Sequence, residues 1–117
     1  MVDARRIFGD SKEVQAARML EEKGMKILER QFKTRFGEID LIAKDGSEIV
    51  FVEVKARRSV NFGFPEESVT TPKLRKITLV GEEYLSLNNL RRAPYRIDVV
   101  AIIEDPFEIR HIEGVGG

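Results

Sequence analysis

Two runs of β-forming residues, Glu38-Ile-Asp-Leu-Ile-Ala43 and Glu48-Ile-Val-Phe-Val-Glu-Val-Lys-Ala56, constrain this chain more than any other feature. They are joined by Lys44-Asp-Gly-Ser47. An Asp-Gly pair between two such runs is the strongest short-range signal for a hairpin. A two-residue loop at Asp45-Gly46 pairs Lys44 with Ser47, so counting back puts Asp40 opposite Phe51 and Glu38 opposite Glu53. Side chains alternate along a strand, which places Glu38, Asp40 and Ile42 on one face with Ile49, Phe51, Glu53 and Lys55. Asp40 and Glu53 become diagonal neighbours, ~7–8 Å apart at the backbone. From that spacing two carboxylates can hold one cation between them, with Lys55 alongside.

The company these charges keep is unusual. Glu53 lies between Val52 and Val54, after Ile49-Val50-Phe51, in a strand fit for burial on both faces. An unpaired carboxylate there costs several kcal/mol, so it needs Lys55, a metal or a proton. Glu38 opposite Glu53 adds like-charge repulsion, which a divalent cation relieves. The chain has no cysteine and one histidine, His111. That excludes disulfide frameworks, thiolate zinc sites and histidine-rich metal centres, and leaves one near-terminal ring for any nucleophilic triad. A metal here is bound by oxygens, which favours Mg²⁺ or Mn²⁺. Simpler readings stand beside these. Asp40, Glu53 and Lys55 can be a cross-strand salt bridge on a solvated sheet face, and Glu38 a solvated strand-end charge. Asp98 can simply pair with Arg96, and His111 reads as a structural or surface residue. No phosphate-cradling glycine loop or nucleophile elbow is present.

Around the hairpin the chain reads as helix, three strands, helix, two strands, with no repeat and no linker. The first helix is predicted from about Ser11 to Lys23, with Ala16, Ala17 and Leu20 on one stripe and Gly24 as its stop. Glu13 falls within that stripe, so it points toward the sheet as a further carboxylate, or it closes a capping box with Asp10. Met25 to Thr34 reads as a strand, and Ser59 to Thr71 as a loop. Thr71 caps a second helix that has Pro72 at its first position and runs to about Leu87. Gly81 inside it costs ~1 kcal/mol relative to alanine. Tyr95 to Glu104 and Phe107 to Glu113 are the last strands. This is a single mixed α/β domain spanning residues 1–117.

Charge has to be read locally. The 20 Lys+Arg balance 20 Asp+Glu, which argues against a grip on nucleic acid or membrane by bulk charge. Bases nevertheless gather at Lys26 to Arg35, Lys55 to Arg58, Lys73 to Lys76 and Arg91 to Arg96. Lys73 and Lys76 suit a solvated helix face, yet Lys73 sits in the first turn, where the dipole disfavours a cation; that favours an anionic partner. No apolar run approaches the ~18 residues of a membrane span. Met1 to Phe8 has charges but no apolar core to follow them, so it is no signal peptide and a cytoplasmic protein is expected.

Several of these stretches resemble a known family. Lys12-Glu-Val-Gln-Ala16, Gly37-Glu-Ile-Asp-Leu-Ile42, Phe51-Val-Glu-Val-Lys55, Phe62-Gly63, Pro65, Val69, Lys73 and Arg96-Ile-Asp-Val-Val100 resemble the YraN-type family of small bacterial proteins. That family looks like a branch of the PD-(D/E)XK nuclease superfamily, similar in fold to archaeal Holliday junction resolvases. Lys12 stands where the family usually has Gly, and Met19 where it usually has Tyr. The resemblance implies a restriction-endonuclease-like core with a mixed sheet flanked by helices. It implies Asp40, Glu53 and Lys55 as catalytic residues, with Glu13, Asp40 and Glu53 as ligands for Mg²⁺ or Mn²⁺. The expected activity is endonucleolytic hydrolysis of DNA, branched DNA included; resolvase-like proteins act as dimers, so a homodimer is one form to test, although likeness in fold does not transfer an interface. From the basic stretches, Arg35, Arg57, Arg58, Lys73 and Lys76 are the residues expected on the nucleic acid. The alternative is a nuclease-fold module that binds nucleic acid without turnover.

Overall fold

The computed structural model describes the backbone of residues 4–116 and the side chains of residues 12–116. The elements in order are α1 (Ala4–Glu22), β1 (Lys26–Thr34), β2 (Gly37–Asp45), β3 (Glu48–Arg57), a 3-10 turn (Pro65–Ser68), α2 (Thr71–Leu87), β4 (Tyr95–Glu104) and β5 (Phe107–Ile112). The five strands form one sheet in sequential order, antiparallel except for the parallel β3–β4 pair. The mixed α/β architecture expected from the sequence is present, with helices on both faces. No helix among the described residues is long and apolar enough to cross a membrane.

The two faces carry separate cores. Ala16, Ala17 and Leu20 of α1 pack on Leu41, Ala43, Val50, Val52, Val100 and Ile102. Ile77, Val80, Tyr84 and Leu85 of α2 pack on Ile42, Ile49, Phe51 and Ile97. β2, β3 and β4 are therefore apolar on both sides, as a sheet covered by two helix layers requires. Gly81 is no defect in α2. A Cβ there would lie 2.5 Å from the Phe51 ring, so glycine is what lets the helix settle onto the sheet.

Three local expectations need correction. α1 starts at Ala4, so the backbone of Asp10 lies inside the helix and no capping box forms there; the Asp10 side chain lies outside the described residues. The cap of α2 is Thr70, not Thr71: its side chain accepts from the Lys73 amide at 3.4 Å. The hairpin turn is Gly46-Ser47, because Asp45 pairs with Glu48 and Lys44 with Ile49. A two-residue Asp45-Gly46 loop of type I′, the form Asp-Gly favours, would need positive φ at both residues. The chain instead puts Gly46 alone, at φ +63°, in the first central position. The faces survive this change, since the partner of every β2 residue moves by two.

Candidate functional site

The corrected register brings the acids closer than expected. Ile42 pairs with Phe51 and Leu41 with Val52, where the β2–β3 ladder stops. One step further, Asp40 and Glu53 stand opposite each other rather than diagonally. The strands part at that step, and the Asp40 carboxylate takes over the ladder's role: its Oδ2 accepts from the Val54 amide at 2.8 Å. Glu38 is removed from the group. It is exposed and pairs with Lys33 on β1, as a solvated strand-end charge.

Glu53 is buried, and its Oε1 lies 3.8 Å from Lys55 Nζ and 3.8 Å from Lys73 Nζ. Burial pushes its carboxyl up to about 7, the Asp40 charge adds to the rise, and Lys73 and Lys55 pull against it. Like charges at short range disfavour double ionisation, and two ammonium groups at this distance offset that only in part. Lys73 occupies the third position of α2, behind its Thr70 cap. There the helix dipole repels a cation, and Glu53 is what compensates. This contact was not anticipated; the one sequence sign of it was the misplaced charge itself.

Glu13 is not gathered in. It belongs to the helix covering the other face, and its Oε2 accepts from Gln31 Nε2 at 3.0 Å. Gln31 has φ +51° and lies between the pairs Arg30–Leu41 and Phe32–Ile39, hence across β1–β2 from Asp40. Among the described residues no three acidic or histidine side chains converge as a ready metal cluster. The Asp40–Glu53 pair alone still fits a hard cation. Its oxygens are the donor type Mg²⁺ takes, and that ion is commonly held by one or two carboxylates with water and phosphate completing the shell.

The basic candidates collect at one end of the sheet, where β2 begins and the parallel strands β3 and β4 finish. Arg57 follows Lys55 on the same face, Arg58 is exposed just beyond it, and Arg35 lies in the β1–β2 turn. Lys76 is exposed one helical turn after Lys73. Lys12, the departure in α1, is nearly buried and pairs with Glu104 at 3.2 Å.

A second charged cluster occupies the opposite end of the strands. Arg96 bonds Asp98 (3.0 Å), Glu48 (2.7 Å) and Asp45 (3.0 Å). Asp98 also accepts from the Gly114 amide at 3.0 Å and lies 2.7 Å from His111 Nε2. Asp98 is fully buried and the His111 ring nearly so. The Asp98–Arg96 pairing and the structural role of His111 hold, and together they fasten the C-terminal segment to β4.

Residues 12–102 match the model of a family described as uncharacterised protein family UPF0102. Similar proteins include UPF0102 proteins of Lachnoclostridium phytofermentans and Clostridioides difficile. The first is 44% identical over 93% of this chain and 92% of its own length. The second is 45% identical over 89% of this chain and 91% of its own. A third, from Caldicellulosiruptor saccharolyticus, is 43% identical over 84% and 83%.

Proposed function

The chain belongs to the uncharacterised protein family UPF0102, and we propose that it acts there as a cytoplasmic, metal-dependent endonuclease of the PD-(D/E)XK type. Its substrate on this reading is DNA, branched DNA included. The observation that carries the reading is the facing of Asp40 and Glu53 where two strands part, with Lys55 on the same carboxylate. A divalent ion such as Mg²⁺ or Mn²⁺, held by Asp40 and Glu53, would neutralise the scissile phosphate and acidify a water. Lys55 is partly exposed, so its ammonium can turn from Glu53 to a phosphate oxygen and stabilise charge developing there. Lys73 can remain on Glu53 while this happens, keeping the acid ionised. Arg35, Arg57, Arg58 and Lys76 supply phosphate contacts that fix the register of the strand.

The test is cleavage of duplex, single-stranded, flap and four-way substrates in Mg²⁺ or Mn²⁺. Wild type is expected to cut, and Asp40→Asn and Lys55→Ala to lose at least about a hundredfold in rate. Cutting that persists undiminished in both variants would remove these residues from the chemistry. Sedimentation of the protein with and without DNA reads the homodimer.

A second reading has its own support. Glu53 already has two ammonium partners, and among the described residues no third carboxylate joins the pair. A binding module that keeps the fold without turnover fits that arrangement. Salt-dependent DNA binding with no cleavage on any substrate would select it.

A further inference from the structure

Among the described residues, four of the five exposed aromatic rings lie at one end of the sheet, while the fifth, Tyr95, begins β4 at the opposite end. Phe36 lies in the β1–β2 turn, Phe62 and Phe64 in the loop after β3, and Phe107 at the β4–β5 turn. All three connections leave the sheet at the end where Asp40, Glu53 and Lys55 open. Phe62 is 91% and Phe107 62% exposed; one such ring needs no explanation, but several at the end that carries the acidic pair mark a candidate contact surface.

Two of these rings lie under an arginine. Arg35 stacks over Phe36 at 4.8 Å from the ring centroid, and Arg110 over Phe64 at 4.5 Å. Arg57 and Arg58 directly precede the loop that carries Phe62. That loop is fixed at several points. It leaves β3 just after Lys55 and returns to α2 at Lys73, both of which contact Glu53. Its flank is pinned by Arg110 to Glu66 at 2.7 Å and by the Asp105 amide to the Arg58 carbonyl at 2.8 Å. The rings are therefore held on a frame continuous with the acidic pair.

We propose that Phe62, with Phe107 beside the neighbouring turn, is a stacking platform for unpaired nucleobases next to the Asp40–Glu53 site, so that the preferred substrate is single-stranded or locally unpaired nucleic acid rather than continuous duplex. Rings alternating with arginines suit a backbone of phosphates that carries flat bases. A duplex presents its bases stacked internally and gives such rings nothing to cover. An aliphatic docking face would look different: apart from Val60, the exposed aliphatic residues Val14, Leu79 and Leu87 lie on the helices. The proposal rests on the nucleic-acid reading of the site but not on turnover.

The experiment measures binding in EDTA at low salt, by anisotropy of one labelled oligonucleotide offered as a single strand and as a blunt duplex. Wild type is expected to bind the single strand more tightly. Phe62→Ala should weaken single-strand binding about tenfold, since one base stack is worth ~1–3 kcal/mol, and change duplex binding by less than about twofold. Phe62→Trp should keep the affinity, and its indole, the only tryptophan in a chain that has none, should be quenched by the single strand alone. Because Phe62 is on the surface, its melting temperature should match wild type. Equal affinity for both forms with no effect of Phe62→Ala overturns the platform. So does a self-association in sedimentation that Phe62→Ala abolishes while binding is untouched, which would mark the rings as a contact between copies. Binding to neither form overturns the platform together with the nucleic-acid reading. Single-strand preference without cleavage in Mg²⁺ supports the platform and sinks the hydrolysis reading alone.

Discussion

Two buried acids in this protein behave in opposite ways, and the cause lies in what donates to them. Burial raises both. For Asp98, hydrogen bonds from His111, Arg96 and the Gly114 amide outweigh burial and hold the carboxyl below its ordinary value. Among the described residues Glu53 gains no comparable set of donors, and its side-chain hydrogen bond with Asp40 raises it further. Burial and Asp40 carry it up to about 7 against the pull of Lys73 and Lys55. A native value above the unfolded 4.5 means that the folded state holds the proton more tightly. Stability from this group is then complete below pH 4.5 and is lost as pH rises through about 7. Glu53→Gln removes the titration. In urea denaturation with EDTA, the variant should gain on wild type by about 2–3 kcal/mol between pH 4.5 and 8. A difference that stays flat with pH would mean that Glu53 is ionised at no cost.

At the scale of elements, the closest fit is between α2 and the sheet. Gly81→Ala adds roughly 1 kcal/mol of helix propensity, yet its Cβ would meet the Phe51 ring at 2.5 Å. Overpacking wins, and a net loss of about 1–2 kcal/mol is expected in thermal or urea unfolding. A gain would show that the ring can move aside. The same helix shows what the sequence could and could not disclose. Its length and buried stripe were legible because Leu74, Ile77, Tyr84 and Leu85 repeat with helical spacing, and the strands because their β-branched runs end at turn residues. Gly81 read as a cost, since nothing in a local pattern reveals a ring packed from another element. The hairpin faces were legible but its register was not, because Asp-Gly and Gly-Ser turns compete within four residues and only backbone φ decides between them. Lys55 beside Glu53 followed from spacing of two. Lys73 beside Glu53 required the crossover that leads from β3 through α2, and Glu13 could not be placed from sequence because a helical stripe says which side faces the sheet, not which face of the sheet it covers.

For the whole molecule, the facing acids couple folding to ions in solution. A cation that binds the native pair and not the unfolded chain stabilises by about 2.7 kcal/mol at a hundred times its Kd, close to 10 °C in Tm for a chain of this size. Mg²⁺ or Mn²⁺ should raise the Tm of wild type by that order and leave the double variant Asp40→Asn/Glu53→Gln unmoved; an unshifted wild type would count against a metal site. The sheet itself has a consequence of another kind. It is open, and its outer strands β1 and β5 present backbone groups that could template further pairing. Along β1, Lys26, Arg30 and Lys33 are exposed and Gln31 breaks the extended backbone; β5 has six residues and carries Glu108 and Arg110. Charge, brevity and a local break are what keep a ribbon from growing sideways. In a chain with no net charge to hold its copies apart, the two outermost strands carry the features that disfavour edge-to-edge pairing.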